Sequence, residues 1–151
     1  MSPSAFKLQG VFMKRRQRGV TLMELLVVVA VIGILAAIAI PTYRRYVVRA
    51  NRADAKVALM QTAQNLERCY TNSSPYAYNS ATCLAAVTLP FVVASGTYQI
   101  NGVRVANGYV LTATPQGPQL TADTECANFR LTQAGVQTVS GTRPAAECWR
   151  R

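Results

Sequence analysis

The chain has 151 residues and a formal net charge of +10, with 16 lysines and arginines against six acidic residues and no histidine. The length fits one domain plus an N-terminal segment. Because histidine is absent, the usual proton-transfer residue near neutral pH and the commonest metal ligand are both missing. No phosphate loop, nucleotide fingerprint or nucleophile-elbow motif occurs either. The composition therefore argues against an enzyme and predicts neither a cofactor nor a metal site.

The N-terminal third contains a candidate membrane segment. Residues 1–19 hold five bases and no acid, and a run of 19 residues without charge extends from Leu25 to Tyr43. As an α-helix at ~1.5 Å per residue, this run is ~28 Å long, which matches a bilayer core of roughly 30 Å. A single carboxylate, Glu24, stands immediately before it. The sequence therefore predicts one membrane-spanning helix that begins beside an acidic residue.

Four arginines follow the apolar run: Arg44, Arg45, Arg49 and Arg52. Since both flanks of the run are basic, charge alone does not decide on which side of the membrane the domain lies. We interpret the four arginines as anchors at lipid headgroups. A mild positive excess without a binding motif is weak evidence for nucleic acid, so no nucleic-acid partner is predicted.

The cysteines place the domain in an oxidising compartment. All four follow the apolar run, and no C-x-x-C pair occurs among them: Cys69, Cys83, Cys126 and Cys148. Zinc and redox motifs fit this spacing poorly, whereas two disulfides fit it well. Four cysteines allow three pairings, and the sequence does not choose among them. Pairing of nearest neighbours would enclose 13 and 21 residues, and each bridge would then contribute ~3 kcal/mol.

Three fates of the N-terminal segment fit the pattern. A secretory signal would be cleaved near Ala37-Ile38-Ala39, which would release a soluble periplasmic binding protein. An uncleaved anchor would keep the whole segment. The third alternative is cleavage at the Gly19–Val20 bond, which would retain the apolar run in the mature product.

A specific resemblance favours the third alternative. Residues 19–43 read GVTLMELLVVVAVIGILAAIAIPTY and are similar to the N-terminal signature of type IV pilins and pseudopilins. The resemblance implies that a prepilin peptidase removes residues 1–19, with Met13 as the true start, and that the new terminus at Val20 is N-methylated. Val20 is a departure, because most members of the family begin with phenylalanine.

In the family that the segment resembles, the carboxylate at the position of Glu24 is required for assembly. We hypothesise that, in a stack of identical apolar helices, Glu24 of one subunit pairs with the Val20 amine of its neighbour. Pairing would offset the ~2.5–3.5 kcal/mol that an isolated charge at the bilayer centre costs. Thr21 and Glu24 also fit the S/T-x-x-E capping box, so a purely local role at the helix start is the alternative.

Apolar spacing predicts one long helix from Val20 to about Tyr70. Its second half repeats apolar residues at intervals of three and four: Ala55, Leu59, Ala63, Leu66 and Tyr70. Gly33 and Pro41 fall where the resembling family has them. Because Pro41 removes an amide from the hydrogen-bond ladder, we expect the helix to kink or loosen there.

The second half of the chain is rich in short β segments. The predicted strands are residues 97–100, 103–106, 109–114, 128–132 and 136–140. The turn signals between them are Asn101-Gly102, Asn107-Gly108 and Gln133-Ala134-Gly135. The stretch from residue 72 to residue 89 reads as a loop. We therefore predict an antiparallel sheet of three to five strands packed on the helix, which is an α+β fold.

This fold divides the chain by function. A helix of ~50 residues is far longer than so small a domain can cover, so residues 20–54 are predicted to protrude and residues 55–151 to form a globular domain.

Asp123 and Glu125 form the one close acidic pair beyond the long helix. We interpret that pair as solvent-exposed residues in the segment that leads to Cys126, rather than as a calcium or acid–base site.

The C-terminal part carries a second, looser resemblance. Residues 112–115 read TATP, residues 123–135 read DTECANFRLTQAG, and Cys148-Trp149 follows, a pattern similar to that of PilE-type minor pilins. The resemblance implies a low-abundance pilus subunit that supports pilus initiation, motility or adhesion, with Cys126–Cys148 closing a terminal loop. A major pilin and a pseudopilin of a type II secretion system are the alternatives.

The partners and the location follow from the same resemblance. It implies contacts with other pilin and minor pilin subunits, with prepilin peptidase and with the inner-membrane pilus assembly machinery. Before assembly the subunit would cross the bacterial inner membrane once, with its domain in the periplasm. After assembly it would be part of the extracellular fibre.

Overall fold

The computed structural model describes residues 19–150 of the chain. The predicted start at Met13 and the leader before Gly19 lie outside the described residues. The chain divides into two compact units, with the boundary between Ala39 and Ile40. The first helix, α1, contributes residues to both units.

Helix α1 extends over Leu22–Asn72, 51 residues. Its ends lie within about two residues of the predicted span from Val20 to about Tyr70. It begins after Thr21, whose hydroxyl accepts a hydrogen bond from the Glu24 amide at 3.2 Å. This contact satisfies one of the free amides at a helix start, as the capping motif predicts. The helix continues through Pro41, and the expected kink at Gly33 and Pro41 stays a prediction.

The first unit exposes its apolar side chains. No residue from 19 to 46 is buried, and Leu22 and Ile38 are 82% and 66% exposed. Among the described residues, α1 is the helix that is long and apolar enough to cross a membrane. An apolar surface of this extent marks a membrane or protein interface.

The second unit contains an antiparallel sheet of five strands in which each strand pairs with the next one along the chain. The strands are β1 (Phe91–Val92), β2 (Tyr98–Val105), β3 (Gly108–Pro115), β4 (Phe129–Thr132) and β5 (Gln137–Val139). Three short helices complete the unit: α2 (Ala81–Ala86), α3 (Pro118–Ala122) and α4 (Ala145–Trp149). The α+β fold predicted from the sequence is confirmed.

The core lies between α1 and one face of the sheet. Period-2 alternation sends every second strand residue to this face, and six of those side chains are fully buried: Tyr98, Ile100, Leu111, Ala113, Pro115 and Phe129. From α1 the buried residues are Ala55, Leu59, Thr62, Leu66 and Cys69. The predicted helix face is therefore confirmed, with Ala63 and Tyr70 half-buried at its margin.

One predicted hairpin turn is wrong. Asn101-Gly102 lies inside the continuous strand β2. The chain does not turn there, and Gly102 instead allows a neighbouring side chain to approach closely. A Cβ at Gly102 would lie 2.7 Å from Leu89 Cδ1 and 2.8 Å from Leu111 Cδ2. Glycine at this position thus makes room for Leu89, as an isolated glycine inside a strand often does.

The other two turn signals are confirmed. Val105 pairs with Gly108, so Ala106 and Asn107 form the tight turn between β2 and β3. The turn between β4 and β5 contains Gly135 at a φ of 76°, a left-handed conformation that favours glycine. Thr132 and Val136 close this second turn through a backbone hydrogen bond of 3.1 Å.

The predicted loop after α1 contains the helix α2, and β1 follows it. Ser80 caps α2 by accepting a hydrogen bond from the Cys83 amide at 3.3 Å. At the other end, Arg104 Nη1 donates to the carbonyl oxygens of Cys83 and Val87 at 3.1 and 2.8 Å. A helix of six residues has too little periodicity to be recognised from sequence, and the Arg104 contacts at its C-terminal end come from a distant part of the chain.

The structure selects one of the three possible disulfide pairings. Cys69 is bonded to Cys83, and Cys126 to Cys148, with Cα–Cα distances of 5.4 and 5.8 Å. The first bridge ties α1 to α2, and the second ties the segment before β4 to α4. Among the described residues no cysteine is free.

Candidate functional site

The N-terminal segment holds the residues that the sequence assigned to processing and assembly. Gly19, Val20 and Glu24 are all exposed, and Glu24 sits in the first turn of α1. A Cβ added to Gly33 would meet nothing within 4 Å, so contacts of this subunit do not require glycine there. The roles of these four residues stay predictions, because they depend on molecules other than this chain.

The second unit contains a buried ion pair that joins α1 to the segment between α3 and β4. Asp123 is 0% exposed and accepts hydrogen bonds from Arg52 Nε at 2.8 Å and Arg52 Nη2 at 2.7 Å. This is the bidentate geometry in which a guanidinium binds a carboxylate best. The Tyr98 hydroxyl donates a third bond at 2.8 Å, and the Cys126 amide donates another at 3.2 Å.

Gln119 completes this polar cluster. Its Nε2 contacts the Tyr98 hydroxyl at 3.2 Å and Asp123 Oδ2 at 3.3 Å, while its Oε1 accepts from Asn51 Nδ2 at 2.9 Å. Among the described residues, no buried side-chain nitrogen or oxygen lacks a hydrogen-bond partner. A buried network stabilises a fold when every member is satisfied in this way.

The network shifts the pKa values of its members. Burial alone would raise the pKa of Asp123, but the hydrogen bonds from Arg52 and Tyr98 outweigh it and hold that pKa below its usual range. Burial would likewise lower the pKa of Arg52, yet the hydrogen bond and charge of Asp123 raise it. Burial raises the pKa of Tyr98 as well. The cluster is therefore an ion pair with a neutral tyrosine at neutral pH.

Two interpretations from the sequence are wrong here. Arg52 is not a headgroup anchor, since its side chain is only 12% exposed and is bound to Asp123. Asp123 is not solvated, although its neighbour Glu125 is, with 53% of its side chain exposed. The available signal was the position of Arg52 on the apolar face of α1, because an arginine there needs a carboxylate from the opposite layer.

A tyrosine cluster fixes the other end of the helix–sheet interface. The Glu67 carboxylate accepts hydrogen bonds from the Tyr78 and Tyr109 hydroxyls at 2.8 and 3.1 Å. Tyr78 stacks on Tyr70 with ring centroids 4.5 Å apart. Tyr78 therefore packs against the helix, whereas Tyr76 is 67% exposed with its ring 5.9 Å from that of Tyr70.

The C-terminal loop is closed by the second disulfide and by an aromatic contact. Trp149 lies edge-on to Phe129, with ring centroids 5.5 Å apart, and its Nε1 donates to the Thr138 carbonyl at 3.2 Å. Lys56 of α1 donates to the Arg150 carbonyl at 3.1 Å. The loop is thus held against both the sheet and the helix.

No group of histidine, cysteine, aspartate and glutamate suited to a metal ion occurs within residues 19–150. The open face of the sheet carries a cleft of about 440 Å³, lined in part by Asn101, Arg104, Thr112 and Arg130. Much of the remaining lining is apolar and includes Leu89, Val103 and Val110. Arg104 donates to the Cys83 and Val87 carbonyl oxygens, so Arg130 is the exposed basic side chain of the cleft.

The fold and the N-terminal segment together define the class of the molecule: a type IV pilin, with an apolar N-terminal helix and an antiparallel sheet. Comparison with family models agrees. Residues 14–40 match the prokaryotic N-terminal methylation motif. Residues 41–130, more than half of the chain, match a family described as "Type IV minor pilin ComP, DNA uptake sequence receptor", and the chain belongs to that family. This family is one of structural pilins, not of enzymes.

Several curated pilins are similar to the chain. A type IV major pilin protein PilE1 of Neisseria gonorrhoeae is 36% identical over 102 residues, which cover 68% of this chain and 54% of that protein. A type IV major fimbrial protein FimA of Dichelobacter nodosus is 51% identical over 59 residues, 38% of this chain and 36% of that protein. The chain spans about half the length of the curated relatives it matches first.

Proposed function

We propose that the chain is a minor subunit of a type IV pilus, cleaved after Gly19 by prepilin peptidase, methylated at Val20 and assembled through α1. The observation that carries this proposal is the carboxylate of Glu24, placed in the first helical turn of a segment that buries none of its apolar side chains in the subunit. That arrangement is costly for an isolated subunit and is stabilised when neighbouring helices pack around it. The methylation motif over residues 14–40 supports the processing step.

In this proposal the subunit resides first in the inner membrane and then in the pilus fibre. Before assembly, the apolar part of α1 crosses the inner membrane once, and the disulfide-bonded unit lies in the periplasm, where Cys69–Cys83 and Cys126–Cys148 can form. The assembly machinery then transfers the subunit to the fibre. There, residues 20–54 pack in the filament core and residues 55–151 form the outer domain.

Glu24→Gln tests the assembly step. We expect the variant to be processed like the wild type, because cleavage acts at Gly19–Val20, yet to be lost from sheared pilus fractions by about a hundredfold if removal of one partner of a buried pair costs roughly 3 kcal/mol. Intact-mass measurement checks that the chain begins at Val20, and immunoblotting measures incorporation.

Glu147→Gln is the matched control, since it removes a half-exposed carboxylate of the outer domain whose one ion-pair contact in the described part of the chain is 3.7 Å long. Normal incorporation of Glu24→Gln would leave Glu24 with only its capping role. A mature terminus near Ile40 would instead identify a secreted soluble protein and overturn the proposal.

A second candidate function is DNA reception, which the description of the matched family names. It is supported by the cleft on the open sheet face, where Arg130 is exposed and has no ion pair within residues 19–150. The two functions are compatible, because a pilus subunit can display a DNA-binding surface. Minor rather than major status is supported by the same family description, although the curated relatives named above are major pilins.

A further inference from the structure

A basic cavity lies in the unit formed by residues 40–151, near the N-terminal end of that stretch of sequence. Its volume is about 760 Å³, and its charged lining consists of Arg44, Arg45, Arg49, Arg52, Arg143 and Glu125. The first four come from α1, and the other two come from the segments around β4 and β5. The cavity is therefore built by the folded unit and not by the helix alone.

Two of the five arginines already have carboxylate partners. Arg52 binds Asp123 at 2.7 Å, and Arg143 binds Glu125 at 3.0 Å and Glu147 at 3.7 Å. Glu125 also lies 3.6 Å from Arg52, so the charges of these two arginines are already balanced by carboxylates.

The other three arginines are left in excess. Among the described residues, Arg44, Arg45 and Arg49 form no ion pair, and the side-chain contact recorded for them is from Arg49 Nε to the Arg45 carbonyl at 3.3 Å. Arg45 and Arg49 stand four residues apart on one helix, a spacing at which like charges repel. An anion in the cavity would remove this repulsion.

The position of the cavity in the chain indicates which kind of anion it binds. Arg44 is the first residue after the uncharged run that ends at Tyr43, so in a membrane-inserted subunit these arginines come at the level of the headgroups. Guanidinium groups bind phosphate oxygens through paired N–H donors. We propose that the cavity is a binding site for the phosphate of an anionic phospholipid, occupied while the subunit resides in the membrane.

The inference goes beyond the proposed function, because it concerns the subunit before assembly and holds for minor and major pilins alike. It is tested on the full processed protein in non-ionic detergent, by native mass spectrometry with added phosphatidylglycerol or phosphatidylcholine. We expect about tenfold preference for phosphatidylglycerol. In Arg45→Gln/Arg49→Gln the preference should fall to about twofold or less, since two donors of the site are gone.

Arg68→Gln/Arg150→Gln is the matched control, because it removes two exposed arginines that do not line the cavity. The control should keep the wild-type preference. Equal loss in both double variants would show general charge attraction and overturn the site. Equal retention of the two lipids by the wild type would overturn it as well.

Two further measurements distinguish the source of the phosphate. Inorganic phosphate at the lipid concentration should leave phosphatidylglycerol bound, and complete displacement would identify a free-phosphate site instead. A DNA duplex should bind the wild type and Arg45→Gln/Arg49→Gln equally, and loss of duplex binding in that variant would assign the cavity to nucleic acid. Because Arg45 and Arg49 are exposed, an unchanged melting temperature checks that the variant folds.

Discussion

At the scale of single residues, Asp123 shows how one buried carboxylate connects layers of the domain. Arg52 comes from α1, Tyr98 from β2 and Gln119 from α3, and all three contact Asp123 within 3.3 Å. A charge with 0% exposure is stable only because several donors replace its water. The side chain therefore holds the helix, the sheet and the α3 segment in one arrangement.

Asp123→Asn should destabilise the domain in a pH-dependent way. At pH 7 we expect a loss of about 3 kcal/mol in the free energy of unfolding, because Arg52 is left without its counter-charge. The pKa of Asp123 is lower in the folded than in the unfolded chain, so its stabilisation is complete above the unfolded pKa. It is lost as the pH falls through the folded pKa. The difference between wild type and variant should therefore shrink below about pH 4.

Thermal or denaturant unfolding between pH 7 and pH 2, on the full protein in detergent, measures this difference. Asp54→Asn is the control, since Asp54 is exposed on α1, and we expect it to change stability by no more than about 0.5 kcal/mol. A difference that stayed constant from pH 7 to pH 2 would contradict the assigned ionisation of Asp123.

At the scale of elements, the sheet shows how packing decides a local conformation. The dipeptides Asn101-Gly102 and Asn107-Gly108 are the same in sequence, yet one lies within β2 and the other lies at the turn into β3. What distinguishes them is Leu89, whose side chain approaches Gly102. A turn at residue 101 would break the eight-residue pairing of β2 with β3 and uncover the core face.

Gly102→Ala should therefore destabilise the domain by about 1–3 kcal/mol, because the new methyl group overlaps Leu89 and Leu111 and the packed core has little room to adjust. Gly108→Ala is a matched control in the same hairpin. Its new Cβ would lie 3.8 Å from Gln133 Oε1 and 4.0 Å from Val105 Cγ2, which are ordinary contacts. Melting temperatures of the two variants check the contrast, and equal effects would contradict the packing explanation.

At the scale of the whole molecule, charge is divided among separate surfaces. The leader residues hold five of the 16 bases, and the cavity beside the end of the apolar run holds another five. The open face of the sheet holds Arg130, whereas Arg104 is paired with the buried Tyr109 and donates to the Cys83 and Val87 carbonyl oxygens. A uniform excess of charge would attract any anion weakly, whereas the two proposals, lipid binding and DNA binding, each depend on a separate surface.

Arg130→Gln tests the sheet surface as the DNA site. We expect weaker binding to a DNA duplex and a salt dependence whose slope is reduced by about 0.9, the value for one lost phosphate contact on duplex DNA. Arg68→Gln removes the same charge from an exposed position on α1 and should leave both quantities unchanged. Fluorescence anisotropy at several salt concentrations measures the slope. Equal slopes for Arg130→Gln and wild type would place the DNA contact elsewhere.

The sequence by itself determined the features that depend on short-range patterns. The methylation motif around Gly19, the apolar run after Glu24 and the buried face of α1 are all periodic or contiguous, so their physical cause lies in neighbouring residues. The hairpin between β4 and β5 belongs with them, because its turn falls at the predicted Gln133-Ala134-Gly135, where Gly135 has a positive φ. These features were enough to predict the α+β fold and the pilin family.

Only the tertiary structure decided the features that depend on distant residues. Arg52 and Asp123 are 71 residues apart, and although the position of Arg52 on the apolar helix face calls for a carboxylate, the sequence does not show which acidic residue supplies it. The disulfide pairing, the close approach of Leu89 to Gly102 and the five-arginine cavity arise in the same way. In each case the interaction energy comes from side chains that the fold brings together, and a pattern read along the chain carries no information about such contacts.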